Sequence, residues 1–256
     1  MATGDNAPPL EIRACQRILA SLGDQALAGQ EFLDLPEDSK ARTHLLRSLS
    51  LRELKRDQLA FYHDALRDWA IASRINEDPA TISSLPLSKP VSSRYARGVE
   101  IAARMALERQ DNSAKWSALV SALSIAEAHS SWRRQAILAV IRSELALTLL
   151  EANHDLLLAN GGEIFRELCT AIMSVETIPT NDLLQLNETD KPKLSLPGTL
   201  RSNITGSALR LLRWTVSCAR EIPLVVIPPV VDLVGRTFQH VQKYERGSNR
   251  FSASKL

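Results

Sequence analysis

Short segments in which apolar residues recur at helical spacing run through most of this chain, and they constrain its fold more than any other feature. Such spacing gathers the apolar side chains on one face of a helix. Leu and Ala, which favour helix, dominate these segments, and aromatic residues make up only 5% of the chain. The sequence therefore predicts a mainly α-helical protein.

The segments that we assign to helices are short and are joined by short polar turns. They cover residues 10–22, 37–49, 64–75, 94–109, 113–128, 131–141, 144–158, 163–175, 205–220 and 229–246. Gly23 follows the first segment as a C′ glycine would, so we expect that helix to end there. A short strand is expected at residues 58–62, after a charged stretch.

The periodicity of residues 64–75 separates an inner face from an outer face. Arg67 and Asp68 are expected on the outer face, in contact with solvent. The residues expected on the inner face are Leu66, Trp69, Ala70 and Ser73.

A stretch rich in Pro and Ser, residues 76–92, predicts a linker between two domains. Residues 7–75 would then form a small N-terminal domain. Consecutive antiparallel helices with short loops predict an irregular α-solenoid arm of the HEAT or armadillo type at residues 93–246. We expect a long surface loop at residues 179–198 and a flexible tail at residues 247–256.

The charge balance and the cysteines exclude several classes of protein. Lys plus Arg number 31 against 29 for Asp plus Glu, so a net charge of +2 provides no broad field that would attract nucleic acid or anionic lipid. Cys15, Cys169 and Cys218 lie far apart, which argues against a disulfide framework or a zinc site and favours small buried thiols. The most apolar run, 222–234, is short and interrupted by prolines, so we predict no membrane segment and a cytoplasmic location.

Complete catalytic motifs are absent from the sequence. No P-loop, Gly-x-Ser-x-Gly elbow, His-Glu-x-x-His helix or Rossmann glycine triplet occurs, and no metal site is predicted. The Gly161-Gly162 pair is interpreted as a helix cap. These observations predict a protein that is not an enzyme, although a site assembled from residues far apart in sequence stays open.

Five histidines are candidates for binding. His44, His129, His154 and His240 are interpreted as surface or capping residues, since none has a partner histidine at metal-binding spacing. His63 differs because a strand end meets a helix start there, and the adjacent Asp64 could cap free amide groups.

Trp132, Arg133 and Arg134 allow two interpretations. Tryptophan can stack on bases while arginine binds phosphate, which would make a nucleic-acid patch. We favour a partly buried tryptophan at the start of an ordinary helix with two solvated arginines, because no second basic cluster extends the patch.

Residues 61–69 read Phe-Tyr-His-Asp-Ala-Leu-Arg-Asp-Trp and follow the paired leucines Leu45-Leu46. This order resembles the winged-helix domain of STAND-class, NACHT-type P-loop ATPases, a family that includes NOD-like receptors and bacterial antiviral defence proteins. In that family a helix ending in paired leucines leads into a wing and then into a strand ending Phe-x-His-Asp. The resemblance implies that His63 contacts the β-phosphate of ADP, provided that a nucleotide-binding domain is added.

Residues 129–136, His-Ser-Ser-Trp-Arg-Arg-Gln-Ala, are similar to a His-x-x-Trp-Arg-Arg helix in the helical arms of bacterial STAND proteins. The family's Walker A lysine and Walker B acids are not found in this sequence. The resemblance therefore implies a middle or C-terminal piece of a STAND protein that holds no cofactor by itself. Without those residues we expect no ATP hydrolysis.

Two functions follow from the sequence. The first is a non-catalytic regulatory or sensor fragment, in which the helical arm binds a protein partner and the winged helix packs on a nucleotide-binding domain supplied elsewhere. The alternative is a winged-helix DNA-binding regulator that uses residues 39–49 as its recognition helix, with Lys40, Arg42 and Arg47 facing DNA. Because the charge of that helix is modest, nucleic acid is not the partner we expect.

Overall fold

The computed structural model describes residues 9–30, 32–34, 39–55, 58–109, 113–179, 201–203 and 205–237. Most of these residues are helical, which confirms the prediction of a mainly α-helical protein. The chain divides into two compact units, Met1–Ala139 and Val140–Leu256. The predictions for the tail at 247–256, for His240 and for nearly all of the loop at 179–198 lie outside the described residues.

The first unit combines helices with one β-hairpin. Its elements are α1 (Pro9–Leu27), α2 (Ser39–Arg47), β1 (Leu51–Lys55), β2 (Gln58–Phe61), α3 (Asp64–Glu77), a 3₁₀ turn (Pro79–Ser84), α4 (Ser93–Glu108), α5 (Ser113–Ala122) and most of α6 (Ser130–Arg142). β1 pairs antiparallel with β2, and Leu33 adds an isolated antiparallel bridge to Leu59 of β2.

The N-terminal part of this unit has its own hydrophobic core, which α1, α2 and the hairpin share. Its buried residues are Cys15, Ile18, Leu22, Leu33, Ala41, Leu45, Leu51 and Leu59. The sequence did not predict β1, because three successive residues of that strand, 52–54, have exposed side chains and the strand lacks a strictly alternating apolar pattern. Pairing with β2 stabilises the strand instead.

The predicted end of the first helix at Gly23 is wrong. α1 continues to Leu27, and Gly23 lies buried within it. A Cβ atom at this position would lie 2.6 Å from Cγ of Arg74 and 3.0 Å from the carbonyl oxygen of Ala70. The glycine therefore allows α3 to approach α1 closely rather than terminating the helix.

The predicted inner face of α3 is also wrong. The buried residues of this helix are Asp68, Ile71, Ala72 and Ile75. Trp69, which was expected inside, keeps 54% of its surface exposed. The actual inner face is the one that packs against α4.

Gly98 of α4 shows how close that packing is. A Cβ there would lie 2.6 Å from Cγ2 of Ile71 and 3.3 Å from the carbonyl oxygen of Asp68. The backbone of α4 therefore lies directly against α3, which contributes to the burial of Asp68.

Residues 76–92 lie within the first unit. The boundary between the two units therefore does not coincide with the linker predicted at these residues. Asp78 caps the 3₁₀ turn, accepting a 3.0 Å hydrogen bond from the amide of Ala80. The side chains of Leu85 and Leu87 are buried. Burial of these two leucines therefore holds the proline-rich segment against the rest of the unit.

Trp132 is fully buried, and its indole Nε1 donates a 2.8 Å hydrogen bond to the carbonyl oxygen of Lys89. Its ring lies 5.8 Å from that of Tyr95. A buried indole cannot stack on a base, which argues against the nucleic-acid patch. The favoured interpretation expected a partly buried tryptophan, and the structure buries the residue fully. Trp116 is equally buried and donates to the carbonyl oxygen of Ala136 at 2.9 Å.

The second unit begins within α6. It contains α7 (Ala146–Ala152), α8 (His154–Val175), the short strands β3 (Thr177–Pro179) and β4 (Arg201–Asn203), α9 (Thr205–Ser217), a 3₁₀ turn (Leu224–Val226) and α10 (227–237). β3 and β4 pair antiparallel. Arg142 Nε donates to Glu176 at 2.7 Å, and the second carboxylate oxygen of Glu176 accepts from Ser207 at 3.1 Å.

α8 is kinked where the sequence predicted a break between two helices. Asn160, Gly161 and Gly162 all have positive φ. A Cβ at Gly162 would lie 2.6 Å from Cγ2 of Val226. Glycine is therefore required there by both backbone conformation and packing.

The three cysteines are free and buried, as the sequence predicted. Burial raises the pKa of Cys169 to about 12. None of the helices in the described part of the chain has the length and the apolar character that crossing a bilayer requires.

Candidate functional site

His63 lies at the predicted junction of β2 and α3. It is exposed and is the N-cap residue of α3, with an extended backbone and no hydrogen bond from its side chain to the helix. Its ring meets that of Tyr62 edge to face, with 4.7 Å between the centroids. The imidazole is therefore presented at the surface.

Asp64 was expected to cap the helix, but it is the first residue of α3, and His63 occupies the N-cap position. Its carboxylate accepts a 3.2 Å hydrogen bond from Nη1 of Arg67. Nη2 of the same arginine donates to the buried Asp68 at 3.1 Å. Burial raises the pKa of Asp68 despite the opposing attraction of Arg67.

An arginine cavity lies beside this junction. It has a volume of about 170 Å³. Four elements or loops contribute polar side chains to its lining: Gln30 after α1, Arg52 of β1, Asp64 and Arg67 of α3, and Arg94 of α4.

The hairpin leaves room for this cavity. Arg52 lies directly opposite Ala60 in the strand register, and paired residues face the same side of a sheet. Since Ala60 is small, space remains between the guanidinium of Arg52 and those of α3 and α4. Arg94 donates a hydrogen bond to the carbonyl oxygen of Gln30 at the edge of that space.

A larger apolar groove, of about 690 Å³, runs between α1, α3 and the end of β2. Arg74 at its edge is held by Asp24 at 2.7 Å and by Glu77 at 2.8 Å. Its apolar lining consists of Leu19, Ala20, Phe61, Leu66, Trp69 and Ala70. The groove therefore combines an uncovered apolar floor with polar side chains at its rim, among them Arg17 and the paired Arg74.

The second unit exposes apolar side chains of its own. Val216 of α9 keeps 77% of its surface exposed, and Leu224 keeps 82%. Others on this stretch are Leu209, Val225, Ile227, Val231 and Val234. A contiguous apolar patch is typical of a surface that contacts another macromolecule, so this stretch is a candidate for such a surface.

The remaining histidines that the structure describes do not form a binding site together. His129 shares a 2.9 Å hydrogen bond with Ser131, and His154 lies 3.1 Å from Glu221. His44 is half-buried. Within the described ranges, no group of three or more His, Cys, Asp or Glu side chains is placed to hold a metal ion.

The sequence singled out His63 but missed the arginines beside it. Arg52, Arg67 and Arg94 are spread over three elements, and no short motif links them. The hairpin register that places Arg52 beside α3 and α4 has no signal of its own in the sequence. No protein-family model matches this chain, and a comparison with curated proteins finds no match either.

Proposed function

We propose that this chain is a non-catalytic regulatory module whose N-terminal unit packs on a P-loop nucleotide-binding domain of the STAND class. The observation that carries the proposal is the apolar groove next to the exposed His63. Leu66 lines the groove one helical turn after His63, and Trp69 follows on the same helix. A domain seated on this groove would therefore lie within reach of the imidazole.

The order of the elements supports a winged-helix assignment for the N-terminal part. α2 carries Leu45 and Leu46 and leads into the β1–β2 hairpin, which ends at Phe61 just before His63. The bridge between Leu33 and Leu59 adds a third, minimal strand to the hairpin, between α1 and α2 in the chain. A helix with paired leucines followed by a strand that ends at Phe61, just before His63, is the order that the resemblance implies.

The exposed apolar residues of the second unit support a partner-binding role for the helical arm. Val216 and Leu224 gain apolar contacts only if another surface covers them. Short connections between α7, α8 and the preceding α6 fit the solenoid arm that we propose. In this proposal the arm holds a protein partner while the N-terminal unit reports on the nucleotide.

A calorimetric titration with ADP tests the proposal. We expect no micromolar binding by the chain alone, because one imidazole contact cannot supply the about 8 kcal/mol that such affinity requires. Adding a separately produced STAND-class nucleotide-binding domain should give a complex that binds ADP more tightly than that domain does alone. The gain should disappear in His63→Ala and persist in His129→Ala, which removes another exposed histidine of the same unit.

The groove is tested in the same mixture. Trp69→Ala should weaken the complex with the nucleotide-binding domain by about tenfold or more, since tryptophans at interfaces are frequent hot spots. Val216→Ala, which removes an exposed apolar side chain of the other unit, should leave that complex unchanged. Micromolar ADP binding by the chain alone, or a complex indifferent to Trp69→Ala, would contradict the proposal.

A DNA-binding regulator is the second candidate, and the exposure of Lys40 and Arg47 on α2 favours it. Arg42 of the same helix, however, is engaged with Glu53 at 2.9 Å. A gel shift with duplex DNA at several salt concentrations discriminates the two functions. Binding whose logarithm falls steeply with salt supports the DNA-binding role, whereas no shift at low salt excludes it.

A further inference from the structure

We propose that the arginine cavity is a phosphate-binding site that works in this chain alone, without a nucleotide-binding domain. Its ligand would be inorganic phosphate or the terminal phosphate of a small phosphate ester. The site is separate from His63, whose proposed contact needs a second domain. The inference therefore goes beyond the proposed function and can hold when that function fails.

The charges of the lining are unbalanced. Three guanidinium groups, those of Arg52, Arg67 and Arg94, share the cavity with one carboxylate, that of Asp64. Arg67 is paired with Asp64 and Asp68. Arg52 and Arg94 form no ion pair with any residue that the structure describes. Two positive charges thus face a small, partly open cavity without a counter-ion among the described residues, and an anion there is attracted to both.

The hydrogen-bond donors are also incompletely used. Arg94 donates to the carbonyl oxygen of Gln30, but its Nε is buried without an acceptor. The Nε of Arg67 is buried without an acceptor as well. An arginine fork matches the oxygens of phosphate in pairs, and buried donors left unsatisfied cost free energy. Because both Nε atoms are closed to solvent, an oxyanion in the cavity would accept hydrogen bonds from the terminal N–H groups of the lining arginines instead.

The size of the cavity limits the ligand. A water molecule occupies about 30 Å³ of liquid, so roughly 170 Å³ holds a few waters or one phosphate group with part of its ester. A complete nucleotide would have to leave its base and sugar outside. The lining therefore points to recognition of a single terminal phosphate rather than of a base.

The direct test is a titration of the full chain with inorganic phosphate at constant ionic strength, followed by NMR of the arginine side-chain N–H groups. We expect saturable shifts of the Arg52, Arg67 and Arg94 signals, with a dissociation constant of roughly millimolar order because so small a ligand makes few contacts. Arg52→Gln with Arg94→Gln should weaken binding by about tenfold or more. The control Arg109→Gln, an exposed arginine outside the cavity, should change nothing.

Asp64→Asn provides a variant with the opposite expected sign. Its side chain is exposed, and it is the one carboxylate of the lining. Removing this negative charge should tighten phosphate binding by a few-fold, roughly as expected for one partly screened charge. A residue whose role was only to support the fold would not make binding stronger when replaced.

The pH dependence separates a specific site from a salt effect. Phosphate takes up its second negative charge in this range, a monoester near about pH 6 and the inorganic ion somewhat higher, so binding of the dianion should strengthen between about pH 5.5 and about pH 8. Sulfate stays dianionic over that range, so its binding should remain flat. If phosphate and sulfate each produced the same shifts in the wild-type chain as in the double variant, the site would be ruled out. The absence of a saturable shift at tens of millimolar phosphate would rule it out as well.

A parallel titration with ADP identifies the source of the phosphate. Stronger shifts with ADP than with inorganic phosphate, lost in the double variant, support a terminal phosphate ester as the ligand. Shifts with inorganic phosphate alone support a site for the free ion. Because neither arm contains a nucleotide-binding domain, failure of either leaves the test of the docking proposal unaffected.

Discussion

The apolar groove and the arginine cavity lie on the same unit and share Phe61 in their linings. The groove leaves apolar surface uncovered, whereas the cavity contains positive charges without partners among the described residues. In the groove the charge of Arg74 is paired on both sides while apolar surface is uncovered. In the cavity the guanidinium groups of Arg52 and Arg94 have no counter-ion among the residues that the structure describes. Uncovered apolar area is relieved by another macromolecule, whereas unpaired charge in a small volume is relieved by a small anion.

The largest expected effect distinguishes residues of the fold from residues of the surface. Trp132→Ala should lower the free energy of unfolding by about 3–5 kcal/mol, because it removes a buried indole and its hydrogen bond. Trp69→Ala should cost less than about 1 kcal/mol, since half of that side chain is already exposed. Chemical denaturation measures both. Equal losses would show that Trp69 supports the fold and would remove it from the groove's binding role.

The next effect comes from α3, which lines both surfaces. Gly98→Ala should cost about 1–3 kcal/mol, because its methyl group would overlap Ile71 and push α3 away from α4. Gly235→Ala is the matched control, since a Cβ there meets no described atom within 4 Å apart from the backbone of its own helix. Alanine in that open helical position should be neutral or stabilise by up to about 1 kcal/mol. Thermal unfolding of the two variants gives the comparison.

Substitution of two arginines then compares a charge that has ion-pair partners with one that has none among the described residues. Arg74→Gln removes ion pairs to Asp24 and Glu77 and should cost about 0.5–1 kcal/mol. Arg52→Gln removes no ion pair within the described part of the chain and should stay within about 0.5 kcal/mol of the wild type. Urea denaturation at low and high salt measures both changes. A larger loss for Arg52→Gln would mean that this residue stabilises the fold, which would weaken the case for a ligand.

The smallest effect concerns Asp68 and pH. Its folded pKa is raised by burial above the usual 3.8, so the folded state holds the proton more tightly than the unfolded state. The stabilisation from this group is therefore present at low pH and is lost as pH rises through the folded pKa. Asp68→Asn lacks this dependence. In urea titrations the stability of the wild type relative to the variant should fall as the pH rises above the usual pKa of 3.8, and a rise would contradict the assignment.

The helices were predictable because the apolar spacing within each is local information. The packing between elements could not be predicted in this way, as α3 shows. Its periodicity fitted an inner face around Trp69, but α4 approaches on the other side through Gly98 and buries Asp68 instead. Gly23 misled in the same way, since its role depends on its close approach to Arg74 of α3, which lies far away in the sequence.

The candidate site also has one part that the sequence predicted and one part that it did not. His63 was found because its strand-to-helix junction has a local pattern. The arginine cavity depends on the register that sets Arg52 opposite Ala60 and on the approach of Arg94 from α4. Neither is encoded in a contiguous motif.

The most direct test of the two-surface account follows phosphate binding and the groove in one spectrum. Phosphate is added to the full chain while the Trp69 indole and the arginine side-chain N–H signals are recorded. The account predicts saturable shifts of Arg52, Arg67 and Arg94 and an unchanged Trp69 indole, because the anion occupies the cavity alone. Shifts of equal size in both sets, or in neither, would contradict the separation of an anion site from an apolar docking groove.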